Sequence, residues 1–192
     1  MIITFTIPDT EVPRVINALY KGMGFRDNPT ATEKTRIVKQ KKRAARLQKT
    51  YNSEKNRLIS LNKREIELAG LFLYWGEGNK SLKGPISINN TDPQVIKFAL
   101  YWLTRALKVP KEKIKVYLHL YADMNIEDAK QYWSKELKMP LGQFAKPYVK
   151  NSNKSEIDQK GFGKGTCTLT VSNIRLKEKV MMGIKAVADH YS

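Results

Sequence analysis

Between Lys115 and Tyr121 the chain alternates without a break. Val116, Leu118 and Leu120 fall on one side, and Lys115, Tyr117, His119 and Tyr121 on the other. Successive side chains of a strand point to opposite faces, so this segment belongs to a sheet with one dry and one wet face. The pattern recurs. Ile86 and Ile88 alternate with Ser87 and Asn89, and Cys167, Leu169 and Val171 with Thr166, Thr168, Thr170 and Ser172. From Phe144 to Lys150 a further extended stretch puts Lys146, Tyr148 and Lys150 on one side, and Pro147 confines it to an edge or a bulge. Helices can cover only the apolar side of such a sheet. The other side stays open and presents Lys, Tyr, His, Thr, Ser and Asn.

Helical segments lie between these strands. Leu68, Leu71, Phe72 and Trp75 recur at helical spacing in a stretch that ends in Gly76-Glu77-Gly78. A mid-helix glycine costs about 1 kcal/mol against alanine. Gly70 therefore calls for close approach of a second backbone, and Gly78 is placed to close the helix in a left-handed conformation. Glu77 then sits at a helix C-terminus, where the macrodipole disfavours a carboxylate. That placement fits a metal-presenting acid, or an exposed glutamate paired with Lys80 or Lys83. Asp92 with Pro93 starts a helix carrying Ile96, Ala99, Leu100, Leu103 and Leu107. Asn125 starts another with Ala129, Trp133 and Leu137 inward, and Asn173 a last one with Ile174, Val180, Met181, Ile184 and Val187 inward.

The N-terminal third differs in character. Residues 1–29 read as a small strand-helix element, with a strand over 2–7 and a helix over 10–23. Residues 30–62 read as a basic helical segment opened by Thr30 and Glu33, divisible at Asn52 and Ser53. It carries Lys34, Arg36, Lys39, Lys41, Lys42, Arg43, Arg46, Lys49, Lys55 and Arg57 against Glu33 and Glu54. Ile37, Ala44, Tyr51 and Leu58 recur every seven residues, a thin apolar seam on a cationic rod. The rod is suited to lie along phosphates, with Lys41, Lys42, Arg43 and Arg46 at its centre, or to bridge two domains as a solvated helix. Residues 63–192 form the core domain.

A formal net charge of +17 over 192 residues makes a polyanion the expected partner. No apolar run reaches membrane-spanning length, the first residues are too short and polar for a signal peptide, and one cysteine excludes a disulfide framework. The expectation is a cytoplasmic protein with no membrane and no small-molecule substrate. On the wet sheet face, Lys115, Tyr117, His119, Tyr121, Lys146, Tyr148 and Lys150 are candidate nucleic-acid contacts, joined by Lys154 and Lys164 from the loop of residues 151–165. A two-stranded ribbon fits the major groove of B-DNA.

Residues 63–192 resemble the LAGLIDADG homing endonuclease family. The resemblance is carried by Leu68-Ala69-Gly70-Leu71, Gly76-Glu77-Gly78, and Ile88-Asn89-Asn90-Thr91-Asp92-Pro93 with Ile96 and Phe98. It implies an α+β fold: an antiparallel sheet with helices on one face, here preceded by the basic helical segment. It implies a homodimer whose motif helices pack together through Gly70, Leu71 and Gly76. It also implies one Glu77 per subunit holding Mg²⁺ for phosphodiester hydrolysis of double-stranded DNA. Placed just after the motif, Lys80 or Lys83 is expected to support the charge that builds on the phosphate. Two other readings stand beside this endonuclease. One is a non-cleaving DNA-binding protein such as a transcriptional regulator. The other is an RNA-binding protein that stacks bases on Tyr117, Tyr121 and Tyr148.

Overall fold

The computed structural model describes residues 31–152 and 163–191. The chain divides into two compact units, Met1–Ser60 and Leu61–Ser192. The strand and helix expected over residues 1–29, the cap at Thr30 and the contact at Lys154 lie outside the described residues.

In the first unit, α1 (Ala31–Leu58) is one helix of 28 residues. It does not divide at Asn52 and Ser53. Asn52 instead accepts a bond from Gln48 one turn earlier, and the Glu54–Arg57 ion pair follows, side-chain links that run straight across the expected break. Most of its seam is open: Tyr51 and Leu58 are each about half exposed, as is Leu47 on the same side, while Ile37 is half-buried.

The second unit is α+β, with a four-stranded sheet in the order β1-β4-β2-β3. α2 spans Lys63–Glu77, β1 Ile86–Asn90, α3 Pro93–Tyr101, β2 Lys115–Tyr121, α4 Ile126–Leu137, β3 Tyr148–Lys150, β4 Thr166–Val171 and α5 Ile174–Tyr191. β4 runs antiparallel to both β1 and β2. β3 pairs parallel with β2, so the sheet is mixed and not antiparallel throughout. The reason lies in the connection: α4 carries the chain back across the sheet between β2 and β3, and a crossover helix delivers a parallel neighbour. Pro147 lacks an N–H and shortens β3 to three residues on the edge. The chain touches β2 once before it, through the Phe144 bridge to Val116.

Local signals start the helices. Asn62 and Glu65 form a reciprocal capping box on α2. Asp92 caps α3 with Pro93 following, Asn125 caps α4, and Asn173 receives the Leu176 amide at the start of α5. α3 continues into a π-helical turn, Trp102–Ala106. The wider turn lets Trp102, Leu103 and Ala106 all face inward, where they are buried. The core lies between the apolar sheet face (Ile86, Ile88, Val116, Leu118, Leu120, Cys167, Leu169, Val171) and the helices above it. Ile96, Ala99, Trp133, Leu137, Val180 and Ile184 supply the helix side. Lys97 of α3 pairs with Glu136 of α4 at the rim.

Three expectations about α2 are corrected by packing. A Cβ on Gly70 would stand 2.0 Å from the Trp102 indole, so the approach that requires glycine is a side chain of the same chain, not a second backbone. Gly78 has φ −85°, extended and not left-handed. It is needed because a Cβ there would meet the Tyr74 ring at 2.5 Å, and it leads directly into a bridge with Ile88. The expected apolar stripe also splits. Leu71 packs toward Gly183 of α5, whereas Leu68, Phe72 and Trp75 remain 38 %, 51 % and 41 % exposed. In α5, Ile174 is exposed and Lys177, not expected inside, is fully buried.

Candidate nucleic-acid interface

Pairing across the sheet arranges the outward side chains in rows. Ser87, Thr170 and Lys115 stand side by side, then Asn89, Thr168 and Tyr117, then Thr166, His119 and Tyr148, and last Tyr121 with Lys150. Every residue in these rows is exposed or half-buried, while their inward neighbours on β1, β2 and β4 are buried. The wet face expected from the alternation is therefore present and uncovered by the unit's helices.

The face has two chemical halves. On β1 and β4 it carries hydroxyls and an amide: Ser87, Asn89, Thr166, Thr168 and Thr170, with the Ser87 and Thr170 hydroxyls 3.2 Å apart. On β2 and β3 it carries rings and ammonium groups. The His119 and Tyr148 rings lie 5.7 Å apart, and the Lys150 Nζ stands 5.3 Å from the centre of the Tyr121 ring. Tyr117 and Tyr148 are 40 % and 62 % exposed. Lys146 is exposed on the approach to β3. Lys164 enters β4 with its carbonyl fixed by the Trp133 indole N–H at 2.8 Å. Lys41, Lys42, Arg43 and Arg46 are all exposed on α1, in the other unit.

Glu77, Lys80 and Lys83 stand elsewhere. Gly78 bridges Ile88 on the free edge of β1, four strand spacings from β3, or roughly 19 Å. Glu77 is exposed there. Lys80 is turned onto its own helix: its Nζ donates to the Gly76 and Gly78 carbonyls at 3.0 and 2.7 Å. A cation at a helix C-terminus satisfies free carbonyls and opposes the negative end of the dipole. Lys177 works beside it, donating to the Tyr74 hydroxyl and the Asn79 carbonyl, while the Tyr74 hydroxyl itself donates to the Asn79 carbonyl at 2.7 Å. Burial, and then the nearby Lys80 charge, lower the Lys177 pKa below that of an ordinary lysine. Burial raises that of the Tyr74 phenol. Periodicity gave no sign of this pair, because a lysine on an apolar stripe reads as a surface residue. Lys111 caps α4 in the same way, donating to the Leu137 and Lys138 carbonyls.

For a divalent cation at Glu77 the donor set of one chain is thin. Among the described residues no three His, Cys, Asp or Glu side chains gather, and the carbonyls flanking Glu77 are bound by the Lys80 ammonium. One exposed carboxylate whose neighbouring carbonyls are already taken does not make a resident Mg²⁺ site. Of the residues expected at a helix pair, Gly70 is buried against Trp102 and Leu71 is turned toward α5, while Gly76 is exposed with open space around it.

No helix among the described residues is long and apolar enough to cross a membrane. No protein-family model, curated protein or solved structure matches this chain.

Proposed function

We propose that this protein binds double-stranded DNA through the open face of its sheet, as a divergent LAGLIDADG-like protein. The observation that carries the reading is the four-row outward face, polar and cationic, on a chain of net charge +17. Lysines at positions 115, 146, 150 and 164 supply phosphate contacts. Asn89, Thr168 and Thr170 are of the types that bond base edges or phosphates. The rod α1, with exposed Lys41, Lys42, Arg43 and Arg46, adds a second cationic surface. Duplex DNA titrated at rising salt tests this: affinity falls steeply as counterions are reclaimed. A flat response, or an RNA competitor that displaces the duplex, ends it.

DNA cleavage is the second reading, favoured by the exposure of Glu77 at the sheet edge. Because one chain offers a single carboxylate there, cleavage belongs to a homodimer that brings two copies of Glu77 together. Nicking of supercoiled DNA with and without Mg²⁺ tests it. The wild type nicks only with the metal, and Glu77→Gln abolishes nicking while leaving binding intact. Binding without nicking leaves a non-cleaving DNA-binding protein such as a regulator.

A further inference from the structure

The hydroxyl half of the open face suits the groove of a duplex; the ring half does not. Base edges in the major groove are read by Arg, Lys, Asn, Gln, Ser and Thr, and the residues that crowd β2 and β3 are Tyr117, His119, Tyr121 and Tyr148. Alternate residues on β2 stand roughly 6.8 Å apart. Stacked bases along one strand of a duplex stand roughly 3.4 Å apart. Rings at twice the stacking distance match bases that have been pulled apart, each lying on its own ring. The Tyr148 ring is 62 % exposed on the edge strand, beside His119 at 5.7 Å. Such a ring is accessible to a base that stacks on it. Lys115 and Lys150 on the same strands, with Lys146 beside them, supply cations along the path a strand of phosphates would take.

We infer that the β2–β3 half of the face stacks the unpaired bases of a DNA strand, so that the preferred ligand is a duplex continuing into a single-stranded tract. The inference rests on the DNA-binding reading and names the ligand class of the same face. The duplex lies over the hydroxyl rows of β1 and β4 and reaches Lys115, which neighbours Thr170, and the unpaired tract crosses Tyr117 and Tyr148. Base–aromatic stacking is tolerant of sequence, because every base has a π-face, and it adds to the phosphate contacts.

The test compares a blunt duplex with the same duplex bearing a single-stranded tail that contains a fluorescent adenine analogue. The tailed ligand is expected to bind about tenfold more tightly, with the analogue's emission changed by stacking. Tyr148→Ala and Tyr117→Ala each weaken the tailed ligand about tenfold more than they weaken the blunt duplex. Tyr148→Phe, which keeps the ring, retains the preference. Both tyrosines are exposed, and circular dichroism checks that the variants fold. Equal affinity for the two ligands, or alanine variants that weaken both alike, overturns the inference and leaves DNA binding standing. If neither ligand binds, the DNA reading falls as well. A tail of RNA that binds more tightly than one of DNA overturns the assignment to DNA.

Discussion

Gly70 shows how one atom decides the packing of two helices. The Trp102 indole lies where a Cβ would go, and its N–H donates to the Glu67 carbonyl at 3.2 Å. Gly70→Ala overpacks this contact and is expected to cost about 2–3 kcal/mol, read as a lower urea midpoint. Gly76→Ala meets no atom within 4 Å and is expected to stabilise the same helix by up to about 1 kcal/mol. Lys177 is the second telling residue. Its pKa is lowered by burial and by Lys80, so between its folded and unfolded pKa values the unfolded chain holds the extra proton. Stability therefore rises as the pH climbs toward the ordinary lysine value. The neutral amine still donates both hydrogen bonds. Thermal melts across the alkaline range are expected to show this rise in the wild type and a smaller one in Lys177→Met, where Lys111, also lowered by burial, remains.

Among the elements, α2 has two unlike faces. Tyr74 and Gly70 are buried, while Leu68, Phe72 and Trp75 form an exposed apolar strip in which the Phe72 and Trp75 rings stack with centroids 6.0 Å apart. The strip supports the proposed homodimer, with Phe72 and Trp75 carrying it in place of Gly70. Phe72→Glu puts a charge at the centre of the strip. It is expected to convert a dimer into a monomer in light scattering without lowering the melting temperature of the unit. A wild type that is already monomeric with and without duplex DNA removes this interface. The lysine caps belong to this scale too: Lys80, Lys111 and Lys177 are committed to carbonyls inside the fold, so less of the net charge is free for phosphates than composition implies.

Among the described residues, exposed lysines and arginines lie on the open face and on α1, and also elsewhere, at Lys63, Arg64, Lys108 and Lys138. Each lysine that contacts a phosphate contributes roughly 0.9 to the slope of log affinity against log salt. Lys115→Ala, Lys146→Ala and Lys150→Ala are each expected to lower that slope by about this amount and to weaken all DNA sequences alike. Thr168→Ala, in the middle of the hydroxyl rows, is expected to shift sequence preference with the slope unchanged.

The alternations at 86–90, 115–121 and 166–171, and the caps at Asp92, Asn125 and Asn173, were legible because each is a local rule. A strand has period two, and a cap needs one side chain beside one amide. The open face followed from them, since residues of one parity must share a side. Contacts between residues far apart in sequence left no such trace. Whether Gly70 meets a partner or Trp102, whether β3 joins parallel or antiparallel, and that Lys177 turns inward onto Tyr74 and Asn79 depend on which elements become neighbours. No periodicity within a segment encodes that. The chain alone determined the elements and the chemistry of their faces. The tertiary structure decided which faces closed on each other, and so left the wet side of the sheet and one strip of α2 open.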